Sequence, residues 1–134
     1  MDLPALLGSM PFAVAMGVEL DAATADEVVG RLPWAADRCT IGGALHGGAL
    51  MALADSLGAI CAFLNLREGA TGTSTIESKT NFFRGVREVD GHVVAVSRPL
   101  HAGRTTIVVQ TDLRTPAGKH VAQVTQTQAV LHPT

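Results

Sequence analysis

The sequence is short of charge. Asp, Glu, Lys and Arg make up 16% of the 134 residues, against about 25% in an average globular chain. A surface with so few charges suggests that part of it is covered in an oligomer. The charge present nearly cancels, at −2 net. A dedicated nucleic-acid binder shows a strongly basic face, so that class is not expected. Cysteine is scarce too. Cys39 and Cys61 form no CxxC arrangement, no disulfide framework is implied, and a reducing, cytoplasmic setting is the default. Cys61 sits in an apolar run and reads as a small buried thiol. His92, His101, His120 and His132 share no metal-ligand spacing with one another or with a cysteine, so no metal is expected. No basic stretch precedes an apolar one at the N-terminus, and no secretory signal is expected. Repeats and low-complexity segments are absent. The length suits a single domain, 1–134, with its own core.

What is present concentrates in one stretch, His46 to Leu66 (HGGALMALADSLGAICAFLNL). It opens on His-Gly-Gly and carries one charge, Asp55, in an otherwise apolar run rich in small residues. Length, Ala/Leu/Met content and the absence of Pro predict a helix over 48–66. It is apolar on nearly every face, so other structure is expected to enclose it on all sides. It is long enough to raise the question of a membrane span. Asp55, Asn65, the lack of a Lys/Arg flank at its start and the strand patterns that follow argue against one.

The rest of the chain frames that helix. Residues 2–16 read as a short N-terminal helical segment broken by Pro4 and Pro11. Gly17–Leu20 and Glu27–Leu32 read as a hairpin around a turn at 21–26. Residues 33–45 read as a loop leading straight into His46. After the helix come four strands, Thr73–Arg84, His92–Leu100, Thr105–Leu113 and His120–Leu131, separated by good turn signals such as Thr115-Pro-Ala-Gly118. The alternation in QVTQTQAVL implies a sheet with one covered face. The order β-β-α-β-β-β-β predicts an α+β fold, one long apolar helix wrapped by a curved antiparallel sheet of five to six strands.

Two features of the central stretch carry chemistry. Gly47 and Gly48 at a helix start leave backbone N–H groups pointing outward with the positive end of the helix dipole, which suits an oxyanion or a phosphate. Asp55, among apolar neighbours, needs a specific partner or a function. Gly47 and Asp55 are eight residues apart, roughly 12 Å along a helix. One substrate atom cannot touch both groups of one helix. If both serve one site, they come from two chains, and the site lies at a dimer interface.

The pattern His46-Gly47-Gly48, six residues, then Ala54-Asp55 resembles the hotdog-fold acyl-CoA thioesterases of the phenylacetate-degradation (PaaI-like) type. Thr80-Asn-Phe-Phe-Arg84 resembles the family's strand after the helix. His101-Ala-Gly-Arg-Thr105 resembles its Gly-basic-Thr turn, and Lys119-His-Val-Ala-Gln123 the start of its last strand. The resemblance spans roughly residues 10–131. It implies a thioester hydrolase in which Asp55 activates a water or attacks the thioester itself, while Gly47 N–H of the partner chain polarises the carbonyl. His46 would help to position that carbonyl or the loop. A Ser or Thr early on the following strand would contact the nucleophilic water. Thr73, Ser74 and Thr75 all qualify: counting back from Phe82 favours Thr75, counting forward from Asp55 favours Thr73. Family members commonly carry Asn six residues before the His. Thr40 stands there, with a hydroxyl of different reach.

The resemblance also implies acyl-CoA as substrate, no separate cofactor, and a homodimer with shared sites, in some members a dimer of dimers. Gly48, Phe82, Arg84, Gly103 and Arg104 are the candidates for substrate contacts, Arg104 foremost for the nucleotide or pantetheine. Only 4% aromatic residues and abundant Ala suggest room for an acyl chain. Two alternatives stay open. One is a hotdog dehydratase or hydratase acting on acyl thioesters. The other is a non-catalytic acyl-CoA binding protein, kept in play by Thr40.

Overall fold

A computed structural model describes residues 2–134. Six strands form one antiparallel sheet in the order β1-β2-β4-β5-β6-β3. In chain order these are β1 (Glu19–Ala23), β2 (Val28–Pro33), β3 (Gly72–Phe82), β4 (His92–Ala102), β5 (Thr106–Arg114) and β6 (His120–Leu131). The helix α3 (Gly47–Leu64) packs on the sheet and touches β2, β3, β4, β5 and β6. Two short helices, α1 (Leu3–Gly8) and α2 (Pro11–Met16), precede the sheet. This is the expected hotdog arrangement.

Local chemistry sets the ends of these elements. Asp2 caps α1 by accepting the Ala5 N–H at 3.1 Å. Pro11 opens α2 at its first position, where the missing N–H costs nothing. Gly17 ends α2 at φ 88°, a left-handed conformation that favours glycine. The strand therefore starts at Glu19 rather than at Gly17, and it runs on to Ala23, further than turn signals at 21–26 suggest. β1 accommodates this with a bulge between Leu20 and Ala22.

The core is the space between α3 and the sheet. Leu53, Ala54, Leu57 and Cys61 are fully buried, as are Leu32, Val93, Ile107, Val109 and Leu113 on the strands. Burial alternates along β2, β4 and β5, as a sheet covered on one side requires. Ser97 and Thr111, buried on the covered face, share a hydroxyl–hydroxyl bond of 2.6 Å.

The helix departs from the expected full enclosure. Gly48, Met51, Asp55 and Phe63 are exposed, and Ala52 and Ala59 are half-buried. Their spacing of three and four makes them one stripe along the helix. The sheet closes the other faces. One chain leaves this stripe open, with Met51 38% and Phe63 51% exposed. The helix is long and apolar enough to cross a membrane by length and composition, yet five strands pack against it.

β3 is an edge strand. Its inner side pairs with β6 over the whole length, and its outer side pairs with nothing among the described residues. The register shifts between Thr75 and Glu77, so Ile76 is a bulged, unpaired residue.

Candidate active site

The loop before α3 is held from several sides. The Trp34 indole donates to Gly43 O at 3.0 Å and Arg87 donates to Gly42 O at 2.7 Å. Leu45 N–H donates to Val86 O and His46 N–H to Arg38 O, both at 2.9 Å. These bonds deliver His46 to the helix start. Its ring Nδ1 accepts the Gly48 N–H at 2.8 Å and caps the helix. The Ala49 and Leu50 N–H groups go to His46 O. The Gly47 N–H has no acceptor among the described residues. It is a free donor at the positive end of an 18-residue helix. The Phe82 ring lies against Gly47, and a Cβ there would sit 3.3 Å from the ring tip.

Two turns further on, Asp55 stands in the open stripe. Its Oδ1 accepts the Thr75 hydroxyl at 2.9 Å and the Gln126 amide at 3.3 Å. Thr75 in turn accepts the Gln128 amide at 2.5 Å. Gln126 and Gln128 are 0% and 1% exposed. Asp55 Oδ2 has no partner among the described residues, and the residue is exposed. The site residues thus form a carboxylate with one occupied and one free oxygen.

The bulge at Ile76 explains why Thr75 is in this group. Thr75 is the register partner of Gln128, and Ser78, Thr80 and Phe82 are partners of Gln126, Val124 and Ala122. Paired residues share a face, so Thr75 and Phe82 both face the helix although they are seven residues apart. A regular strand would put them on opposite faces. Thr73 also faces this side, opposite Val130, and borders the hollow by Phe63. Ser74, opposite Ala129, faces away, and the fold does not bring it to Asp55.

The remaining sequence candidates are spread out. Thr40 is exposed in the tight loop, its N–H bonded to Ala44 O at 2.9 Å, and its hydroxyl bonds to nothing among the described residues. Arg84 is exposed just past the end of β3, beyond Phe82. Gly103 and Arg104 form the β4–β5 turn at the other end of the helix, where Arg67 donates to Ala102 O at 3.0 Å. They do not meet Asp55 within one chain. Among the described residues no cluster of three or more His, Cys, Asp or Glu could hold a metal.

Two hollows flank Asp55 along the stripe. One of about 390 Å³ adjoins the helix start, between Phe12, Met16, Arg38, Cys39 and His46. The other, about 400 Å³, lies along the second half of the helix, between Leu6, Met10, Ala59, Ile60 and Phe63. Neither reaches Asp55, which sits between them.

The family model of the thioesterase superfamily matches residues 42–122. The chain belongs to that superfamily. Residues 42–122 include the His-Gly-Gly start, Asp55 and Thr75. Among relatives, an esterase-named protein of Pseudomonas aeruginosa is 38% identical over 89 residues, 66% of this chain and 60% of that protein. The 1,4-dihydroxy-2-naphthoyl-CoA hydrolase of Escherichia coli is 35% identical over 89 residues, 66% of this chain and 63% of that protein. In both, the match spans under two thirds of the relative. The crystal structure of a mutant thioesterase from Pseudomonas aeruginosa superposes with a TM-score of 0.90 at 30% identity, covering 99% of this chain and 96% of that one.

Gln126 and Gln128 are absent from the sequence reading. Their signal was available: they stand two and four residues after Val124, in phase with the apolar face of β6, so both amides had to be buried. The alternation in that segment shows a covered face, but reading Gln as solvent-facing hides which face it is.

Proposed function

We propose that the protein hydrolyses acyl-CoA thioesters to the free acid and CoA at a site shared by two protomers. The observation that carries this is the Asp55 carboxylate, held by two donors on Oδ1 and free at Oδ2, in the open stripe of an otherwise buried helix. Membership of the thioesterase superfamily supports the reaction class. The Escherichia coli relative, named as a hydrolase of a CoA thioester, supports CoA as the thiol.

In this reading Asp55 Oδ2 takes a proton from a water molecule as its oxygen bonds to the thioester carbon. The carbonyl electrons move to the oxygen, where the Gly47 N–H of the partner protomer donates. The tetrahedral intermediate collapses, the C–S bond breaks, and CoA leaves as a thiolate that recovers the proton from Asp55. The same oxygen can attack the carbon directly, giving an anhydride that water opens. Single turnover in ¹⁸O water separates the two, because only the anhydride route can leave label in Asp55.

Within a chain Gly47 and Asp55 remain about 12 Å apart along α3. Antiparallel packing of two helices through their open stripes brings one protomer's Gly47 to the other's Asp55. The same packing covers Met51 and Phe63, and pairing of two β3 edges extends the sheet across the dimer. His46 holds the donor turn in place, Thr40 and Gly48 border it, and Thr73 and Phe82 line the path of the acyl group. Arg84, Gly103 and Arg104 are the exposed groups offered to the CoA phosphates.

The test is CoA release from a panel of acyl-CoA thioesters. Wild type is expected to turn over at least one, and Asp55→Asn to lose about 10²–10⁴-fold in kcat, the span of a general base. No CoA release by wild type from any thioester sinks the hydrolase reading. An Asp55→Asn variant as fast as wild type sinks the site.

A further inference from the structure

We propose that Gln126 and Gln128 are positioning residues that fix the direction of the hydrogen-bond chain ending on Asp55, so that only Oδ2 is offered to the substrate. The proposal rests on the reading of Asp55 as the reacting carboxylate. Both glutamines lie beyond the residues matched by the family model, which ends at 122.

The direction follows from which atoms can donate. An amide nitrogen only donates. Gln128 Nε2 stands 2.5 Å from Thr75 Oγ1, so the Thr75 oxygen is the acceptor there. The Thr75 proton is then committed to Asp55 Oδ1. Gln126 Nε2 supplies a second donor to the same oxygen. A flip of the Gln128 amide would make it an acceptor of the Thr75 proton and take that proton from Asp55. A flip of the Gln126 amide would set two acceptors face to face. In the arrangement present every donor points toward one carboxylate oxygen.

The orientation of Gln126 has a visible cost. Its Oε1 is buried with no partner among the described residues, and an unsatisfied buried acceptor destabilises the folded chain. A valine in phase with Val124 would avoid that cost. Room for the amide comes from Gly58, one turn after Asp55. A Cβ there would lie 2.0 Å from Gln126 Oε1, so any other residue at 58 displaces the amide from Asp55. A helix-interior glycine is also unfavourable against alanine. Two locally unfavourable choices, at 58 and 126, serve a single hydrogen bond to the carboxylate.

Steady-state kinetics of CoA release by the full-length protein test this, on the acyl-CoA that wild type turns over fastest. Gln126→Met and Gln128→Met keep the side-chain length and remove the donor. Each is expected to lower kcat at least about tenfold with KM within about twofold, the mark of an interaction that matters at the reaction step. Gly58→Ala is expected to do the same, although alanine favours the helix. Adding it to Gln126→Met should cost nothing more, because both changes break the same bond. Should Gln126→Met fail to fold, Gly58→Ala reads that bond alone. Folded variants that keep kcat within about twofold overturn the proposal, as does a change confined to KM or a multiplied loss in the double variant. The underlying reading fails separately: it falls if Asp55→Asn is active, whereas the positioning role falls if Asp55→Asn is inactive and the glutamine variants are not.

Discussion

At the scale of single residues, the two cysteines show how burial decides chemistry. Cys61 is fully buried on α3, and desolvation pushes its thiol up from 9.0 to about 11. Burial favours the neutral form, so its contribution to stability is complete below pH 9 and fades as pH rises through the window up to about 11. Cys39 is half-buried, its thiol donating to Ala35 O at 3.3 Å. Iodoacetamide at pH 8 is expected to place one adduct on the native chain, at Cys39, and a second only after unfolding. Mass spectrometry of the two states checks this, and native labelling of Cys61 would contradict the packing. Asp55 and Gly47 were legible because a lone carboxylate and paired glycines stand out from an apolar run. That Thr73 and Thr75 rather than Ser74 share the face of Phe82 was not legible, because it depends on a strand bulge that side-chain counting cannot see. Which of the two threonines meets Asp55 depends on how the strand is offset along the helix.

At the scale of elements, α3 and the sheet were readable from apolar runs and turn signals. The strand order was not: β4 lies between β2 and β5 and β3 lies beyond β6, and no local pattern encodes that. Nor did composition reveal that one helix stripe stays open, since Ala, Met and Phe look the same whether sheet or a second chain covers them. The covered side is where the stability lies. Leu57 is fully buried and packs on Gly30, where a Cβ would sit 3.0 Å from the Leu57 side chain and 2.6 Å from Glu19 O. No larger residue can be accommodated at 30 to refill a gap at 57. Leu57→Ala is expected to cost about 2–5 kcal/mol of unfolding free energy, read as a lower urea midpoint with an unchanged slope.

At the scale of the whole molecule, the low charge content, the open helix stripe and the unpaired edge of β3 point the same way. A long free edge with exposed Ile76 is a template for another strand. Sedimentation is expected to give a multiple of the 13.9 kDa chain mass, and a monomer at micromolar concentration would remove the shared site. Complementation tests the sharing itself. Gly47→Pro removes only the donor, because proline suits the first helical position, provided that the Phe82 ring tip yields slightly. Mixed after joint refolding, inactive Asp55→Asn and Gly47→Pro chains are expected to recover about a quarter of wild-type activity, since half the dimers are hybrids with one intact site. Recovery of none would mean that each chain works alone.

The bulge at Ile76 also limits how this chain can change in length. Thr75 and Phe82 lie on either side of it and both face α3, so the strand carries two phases joined at one residue. Substitution at 76 leaves both phases alone. While the bulge persists, gain or loss of a single residue between 77 and 82 turns one of them outward, removing either the hydroxyl from Asp55 or the ring from Gly47. Loss of Ile76 itself instead straightens the strand and leaves Thr75 and Phe82 on one face. Along this segment the strand has a parity, and a change of one residue preserves it only where the bulge is lost with it.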